Sequence, residues 1–257
     1  MAEPRPPVAV RRILLALASS GDPLALETAA ALAESLRAEL EGLYIQDPDL
    51  ARIAALPFAR EVALGSAASR PLAAHQLERE LRAQAAAVER LLRTRAGQRL
   101  KWSFTVIQGR GPAAALRERA EVDLFVLGRP PSPYGMPHGP DGGPLLLLYD
   151  GSASARRALG PAAALAAHSG RELLVLLAGR EAGDVERLRL EGEQALAESD
   201  ARVSYLAGRV GAPADLERIA RTYRAALLLV AEEHLMGDEH TLHTLLERMP
   251  CPVVVAR

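Results

Sequence analysis

The chain has 257 residues, of which 49% are apolar and 25% charged, and its 31 basic and 32 acidic side chains nearly cancel. That balance is the one of a globular protein able to bury a core, and it leaves no basic stripe to neutralise a phosphate backbone, so nucleic acid is excluded as a partner class. No apolar run approaches the roughly 20 residues a spanning helix needs, and Met1 to Pro7 lacks a signal-like apolar core, which together predict a cytoplasmic chain with no membrane partner.

Taken in order, the elements occur twice. Residues 12–17 form an apolar run that leads into an alanine-rich helix ending near Leu36 and a second apolar run from Leu40 to Ile45. A long stretch follows, 47–97, in which 48–56 and 73–94 have helical spacing and 65–71 has the composition of a loop. The first copy then resumes with Val106-Ile107-Gln108-Gly109 and the buried-strand pattern Val122-Asp123-Leu124-Phe125-Val126-Leu127-Gly128. Residues 129–143 hold so many prolines and glycines that neither a helix nor a central strand is compatible with them, and they read as a linker.

The second copy is clearer. Residues 145–149 form a short apolar run between Pro144 and Asp150-Gly151, and Ser152 can cap a helix that continues to Gly170. Strands at 173–178, 202–207, 227–231 and 253–255 alternate with helices at 184–198, 213–223 and 238–248, the pattern of a parallel sheet covered on both faces. The division expected is therefore 1–128 with its insert 47–97, a linker 129–143, and a second domain 144–257.

These motifs, in this order and given twice, resemble the universal stress protein family, through Ile13 to Leu17, Leu43-Tyr44-Ile45 and 122–128 in the first copy and through Asp150-Gly151-Ser152, Gly208 and Pro250-Cys251-Pro252-Val253-Val254-Val255 in the second. The resemblance implies an α/β fold of two tandem Rossmann-like domains, flavodoxin-like and related to the adenine nucleotide alpha hydrolases. Their sheets would be mainly parallel, with the first truncated after its fourth strand. Nucleotide-binding members of that family carry a glycine loop after strand four whose amides hold phosphate. Here the corresponding stretch is 232–240, with one glycine and four carboxylates, and after Gly128 comes the linker. Like charge repels a triphosphate, so ATP and AMP are disfavoured as cofactors.

The site expectations follow. Asp150, Gly151, Ser152 and Gly208 are the ligand-binding candidates, since open α/β sheets bind at the carboxyl ends of their strands; an Asp-Gly turn with a serine cap is the plainer reading of the first three. His240 and His243, three apart on a helix with Glu233 nearby, are metal candidates, against the plainer reading of exposed histidines on a helix whose acids complement its dipole. No nucleophile, base and orienter can be assembled, which predicts a protein that is not an enzyme. With the first sheet truncated, Val253, Val254 and Val255 are expected to form an exposed edge and to pair two copies as a homodimer. The reading is a stress-response protein acting through dimerisation, unknown protein partners or a small ligand. Its rivals are a nucleotide-binding form with weak ATP hydrolysis and a metal-binding module. The insert is expected either to pack as core or to lie as a helical lid over the first domain's ligand edge.

Overall fold

The computed structural model describes residues 10–18, 22–62, 68–109, 111, 121–128, 143–179, 181–208, 210, 212–235 and 239–257, with the side chains of Glu239 and His240 left aside. Its core is a nine-stranded sheet in the order β5-β2-β1-β6-β11-β10-β7-β8-β9. The first half supplies β1 (Arg12–Leu17), β2 (Glu39–Gln46), β5 (Trp102–Gln108) and β6 (Leu124–Leu127), and the second supplies β7 (Leu145–Tyr149), β8 (Glu172–Leu177), β9 (Arg202–Ala207), β10 (Leu227–Ala231) and β11 (Val253–Ala256). Within each half every pairing is parallel. The halves meet at β6 and β11, which run antiparallel with Val254 opposite Val126.

Because successive side chains point to opposite faces of a strand, Ile13, Leu15 and Leu147 enter one apolar layer while Leu14, Ala16, Leu146 and Leu148 enter the other. Both layers are covered, which is why these strands read as continuous apolar runs rather than alternating ones. One layer receives α1 (Pro23–Leu36), α3 (Ala74–Ala96), α4 (Ala153–Ser169) and α5 (Ala182–Ala195); the other receives α6 (Pro213–Thr222) and α8 (Glu239–Arg248). α1 begins at Pro23 behind Asp22, whose Oδ1 accepts the Ala25 amide at 3.3 Å, and α4 begins behind Ser152, whose Oγ accepts the Ala155 amide at 3.2 Å.

Three expectations need correction or a boundary. Val253, Val254 and Val255 are not an exposed edge: all three are fully buried, and β6 fills the position beside them, so a homodimer cannot form by strand addition at β11. Residues 69–71 are not loop but β4 (Ser69–Pro71), paired antiparallel with β3 (Arg60–Val62) in a separate two-stranded sheet and tied by Arg70 to Glu61 at 2.7 Å. α2 (Pro48–Ala54) and α3 bear out the two helices of the insert, whereas α7 (Glu232–Leu235), directly after β10, had no counterpart in the sequence reading. The linker expectation and the stop after a fourth strand fall on 129–142, outside the described residues.

Candidate functional site at the carboxyl ends of β7 and β10

In the second half the chain leaves β7 toward β8 and β9 on one side and returns to β10 on the other. The gap between the ends of β7 and β10 is thus the point at which the strand order reverses, the usual place for a ligand in an open α/β sheet. Asp150 stands at the end of β7. Glu232, Glu233 and His234 stand at the end of β10, in α7.

The side chains there are turned onto one another. Asp150 Oδ1 accepts the Ser152 amide at 2.9 Å, and Asp150 Oδ2 accepts from His234 Nδ1 at 3.2 Å. Burial alone would push the Asp150 carboxyl up, but the Ser152 amide and hydroxyl and then His234 outweigh it, leaving the group below its ordinary range and ionised at neutral pH. Glu233 Oε1 accepts from Ser154 Oγ at 2.8 Å, and Ser154 Oγ in turn accepts from Arg157 at 2.7 Å. Glu232, buried, takes both arms of the Arg257 guanidinium at 2.6 and 2.7 Å. Arg257 also stacks over the ring of Phe125 in β6 at 5.1 Å, and its pKa is raised, first by the Glu232 hydrogen bond. Each of the three carboxylates is therefore already partnered, two of them with cations or a histidine.

Gly151 has φ +78°, and a Cβ there would lie 2.7 Å from Leu188 Cδ2 in α5. Its glycine identity is set by the turn and by that close packing. Ser152 is spent as the helix cap. Gly208 lies past β9, two strands from β7, where its amide donates to Leu177 O at 3.4 Å; it does not join the cluster around Asp150.

Of the metal candidates, His243 and Glu233 are engaged by different partners. His243 Nε2 meets Glu247 Oε1 at 3.1 Å one turn along α8, and Glu233 belongs to Ser154. His240's side chain lies outside the described residues, and among the described residues no group of three potential ligands converges. Sequence reasoning did not pair His234 with Asp150, and it missed Arg257. The register pairs Ala231 with Ala256, so the next residue of each strand, Glu232 and Arg257, must be neighbours; that signal was available once β10 and β11 were taken as adjacent.

Among the described residues, the first half shows no such cluster at its own reversal point. There Gly128 follows β6 and donates to Ala16 O at 2.9 Å, with Leu17 packed over it. Instead a cleft of about 260 Å³ opens between Gln46 and Gln108 at the ends of β2 and β5 and Pro48, Ala51 and Arg82 on the insert's helices. The insert thus does cover part of the first half's carboxyl edge, beside β2 and β5 rather than over β1.

The fold is similar to that of solved tandem universal stress proteins. The chain is similar to a universal stress protein from Archaeoglobus fulgidus DSM 4304, with a TM-score of 0.56 and 13% identity over 96% of both chains. A putative universal stress protein from Pseudomonas aeruginosa UCBPP-PA14 matches over 96% of this chain and 93% of its own at 16% identity and a TM-score of 0.49, and a universal stress protein in complex with cAMP matches 45% of this chain and 96% of its own at 26% identity and a TM-score of 0.38. No protein-family model and no curated protein matches the sequence. Among the described residues no helix is long and apolar enough to cross a membrane.

Proposed function

We propose that the chain is a non-catalytic stress-response protein of the universal stress protein kind, built of two domains, 1–128 and 144–257, with the first sheet ending at its fourth strand. It acts through protein contacts or a small ligand rather than by turning over ATP. The observation that carries this reading is the self-neutralised cluster at the reversal point of the second half. A triphosphate needs amides and cations turned toward it, and here Arg257 is engaged by Glu232, while Glu233 and Asp150 would face the incoming charge. A small uncharged or weakly polar ligand is better suited to the cleft between Gln46, Gln108 and Arg82.

The test is calorimetric titration with ATP and magnesium, with AMP alongside. No heat and no thermal shift with either is the expected result; micromolar binding of ATP would overturn the reading. A second reading rests on Asp150 alone: an ionised carboxylate at the end of β7 is placed to accept the hydroxyls of a ribose if His234 turns aside. Under it AMP binds, and Asp150→Asn abolishes the heat.

A further inference from the structure

The insert carries a surface that the rest of the fold does not use. Between Leu50 and Val62 five large apolar side chains stand in water: Leu50, Ile53 (48% exposed), Leu56, Phe58 (75%) and Val62 (59%). Leu50 and Ile53 share one face of α2, Phe58 stands two residues before β3, and Val62 is the last residue of that strand. At these exposures they present about 500 Å² of apolar surface, an area in the ~300–600 Å² range of the largest, often functional, patch of a typical monomer.

Beside the patch lies a strand with one open edge. The Leu72 amide donates to Ala59 O at 2.9 Å, flanking the Arg60–Pro71 pair, so that pair is of the non-hydrogen-bonded kind. The N–H and C=O groups of Arg60 and Val62 therefore point away from β4. On the opposite side, β4 is blunted: Pro71 has no N–H to offer, and the Ser69 carbonyl accepts Arg60 Nη2 at 3.2 Å. Only the β3 side can accept another strand.

We infer that this face joins two copies of the chain about a twofold axis, β3 pairing antiparallel with β3 of the second copy and the two apolar patches closing on each other. Arg60 then exchanges both backbone hydrogen bonds with Val62 across the axis. Charge favours this occupant over an anionic bilayer: Asp49, Arg52, Arg60, Glu61, Arg70 and Glu80 mix the two signs and sum to zero, and Glu61, which meets Glu61 of the second copy on the axis, is neutralised by Arg70 at 2.7 Å. Two such faces, with their rims, reach the roughly 1,000 Å² of total buried surface that a specific dimer needs. The insert thereby supplies the pairing surface that β11, enclosed by β6, does not.

Sedimentation velocity of the full chain over a concentration series tests this. A dimer is expected, with Phe58→Ser and Val62→Pro each raising its dissociation constant at least about tenfold, because one removes the central aromatic anchor and the other a donor of the shared edge. Ile53→Ser serves as a third variant, and unchanged circular dichroism confirms that these exposed positions leave the fold intact. Val106→Ser, an exposed apolar position on the outer strand β5, should leave the dimer unaltered. A wild-type monomer at every concentration overturns the proposal, as does a dimer that survives Phe58→Ser and Val62→Pro or is lost in Val106→Ser. A monomer that co-sediments with phosphatidylserine vesicles would likewise overturn it, assigning the patch to a membrane surface.

Discussion

Replacing Glu232 by glutamine removes one negative charge while keeping nearly the same shape, at a side chain that is 11% exposed and gripped by both arms of Arg257. One amide oxygen can still accept one of the two bonds. The other arm loses its acceptor, and the guanidinium loses the Glu232 charge while remaining only a quarter exposed and stacked on Phe125. A fully buried pair broken on one side costs about 3–5 kcal/mol, and a hydrogen bond to a charged group about 1.5–3; partial exposure of Arg257 and the surviving bond bring the expected loss to about 2 kcal/mol. For a chain of this length that lowers the melting temperature by about 4–8 °C. Differential scanning calorimetry at neutral pH reads it directly, and a double-mutant cycle with Arg257→Met isolates the pair, since the double variant should be less destabilised than the sum of the singles. A melting temperature within a degree of wild type would refute the reasoning, because it would mean the pair holds nothing between the end of β10 and β11.

Two further predictions concern the two reversal points. The Asp150 carboxyl lies below its ordinary value of 3.8, so it contributes stability that is fully present above that pH and is lost as pH falls through the lowered folded value. The stability difference between wild type and Asp150→Asn, measured by urea unfolding at successive pH values, should therefore be constant above about 5 and shrink below 3.8; a difference independent of pH counts against it. In the first half, Gly128→Ala places a Cβ 2.3 Å from Leu17 Cδ2 and 3.3 Å from Ala16 O. Overpacking of this kind costs about 1–3 kcal/mol, and Gly128→Ala should cost less in a Leu17→Ala background than in the wild type; an unchanged denaturant midpoint for Gly128→Ala would contradict the contact.

What the sequence made legible were the elements whose signal is local. The run 145–149 between Pro144 and Asp150-Gly151 could only be a buried strand, and Ser152 could be placed as a cap because nothing but the neighbouring amides decides it. β3 and β4 escaped because each has three residues and one ends in Pro71, a residue that argues against strand unless the edge it blunts is known. The β6–β11 junction escaped for a different reason. Val126 and its partner Val254 are 128 positions apart, and pairing at that distance is fixed by how two finished half-sheets meet, not by local pattern. The site divides in the same way: Asp150 and Ser152 could be placed from position, whereas the partners of Asp150 and Glu232, His234 from the turn after β10 and Arg257 from the next strand, depend on how β7, β10 and β11 lie side by side.

The antiparallel junction has a consequence for how the halves can work. Within each half all strands run the same way, and β6 and β11 run oppositely, so the carboxyl ends of β1, β2, β5 and β6 lie at one end of the sheet and those of β7 to β11 at the other. The cluster of Asp150, His234 and Glu232 therefore opens at the end opposite the cleft between Gln46 and Gln108. No small molecule can touch both, and each half must be read as a separate site. α2 follows β2 directly and carries the apolar face onward to β3, so the pairing surface we assign belongs to the first half's end of the sheet. A dimer formed there leaves the second half's cluster uncovered. If ATP were nevertheless to bind at that cluster, it would do so without disturbing the dimer, and the oligomeric state measured with and without nucleotide would be the same.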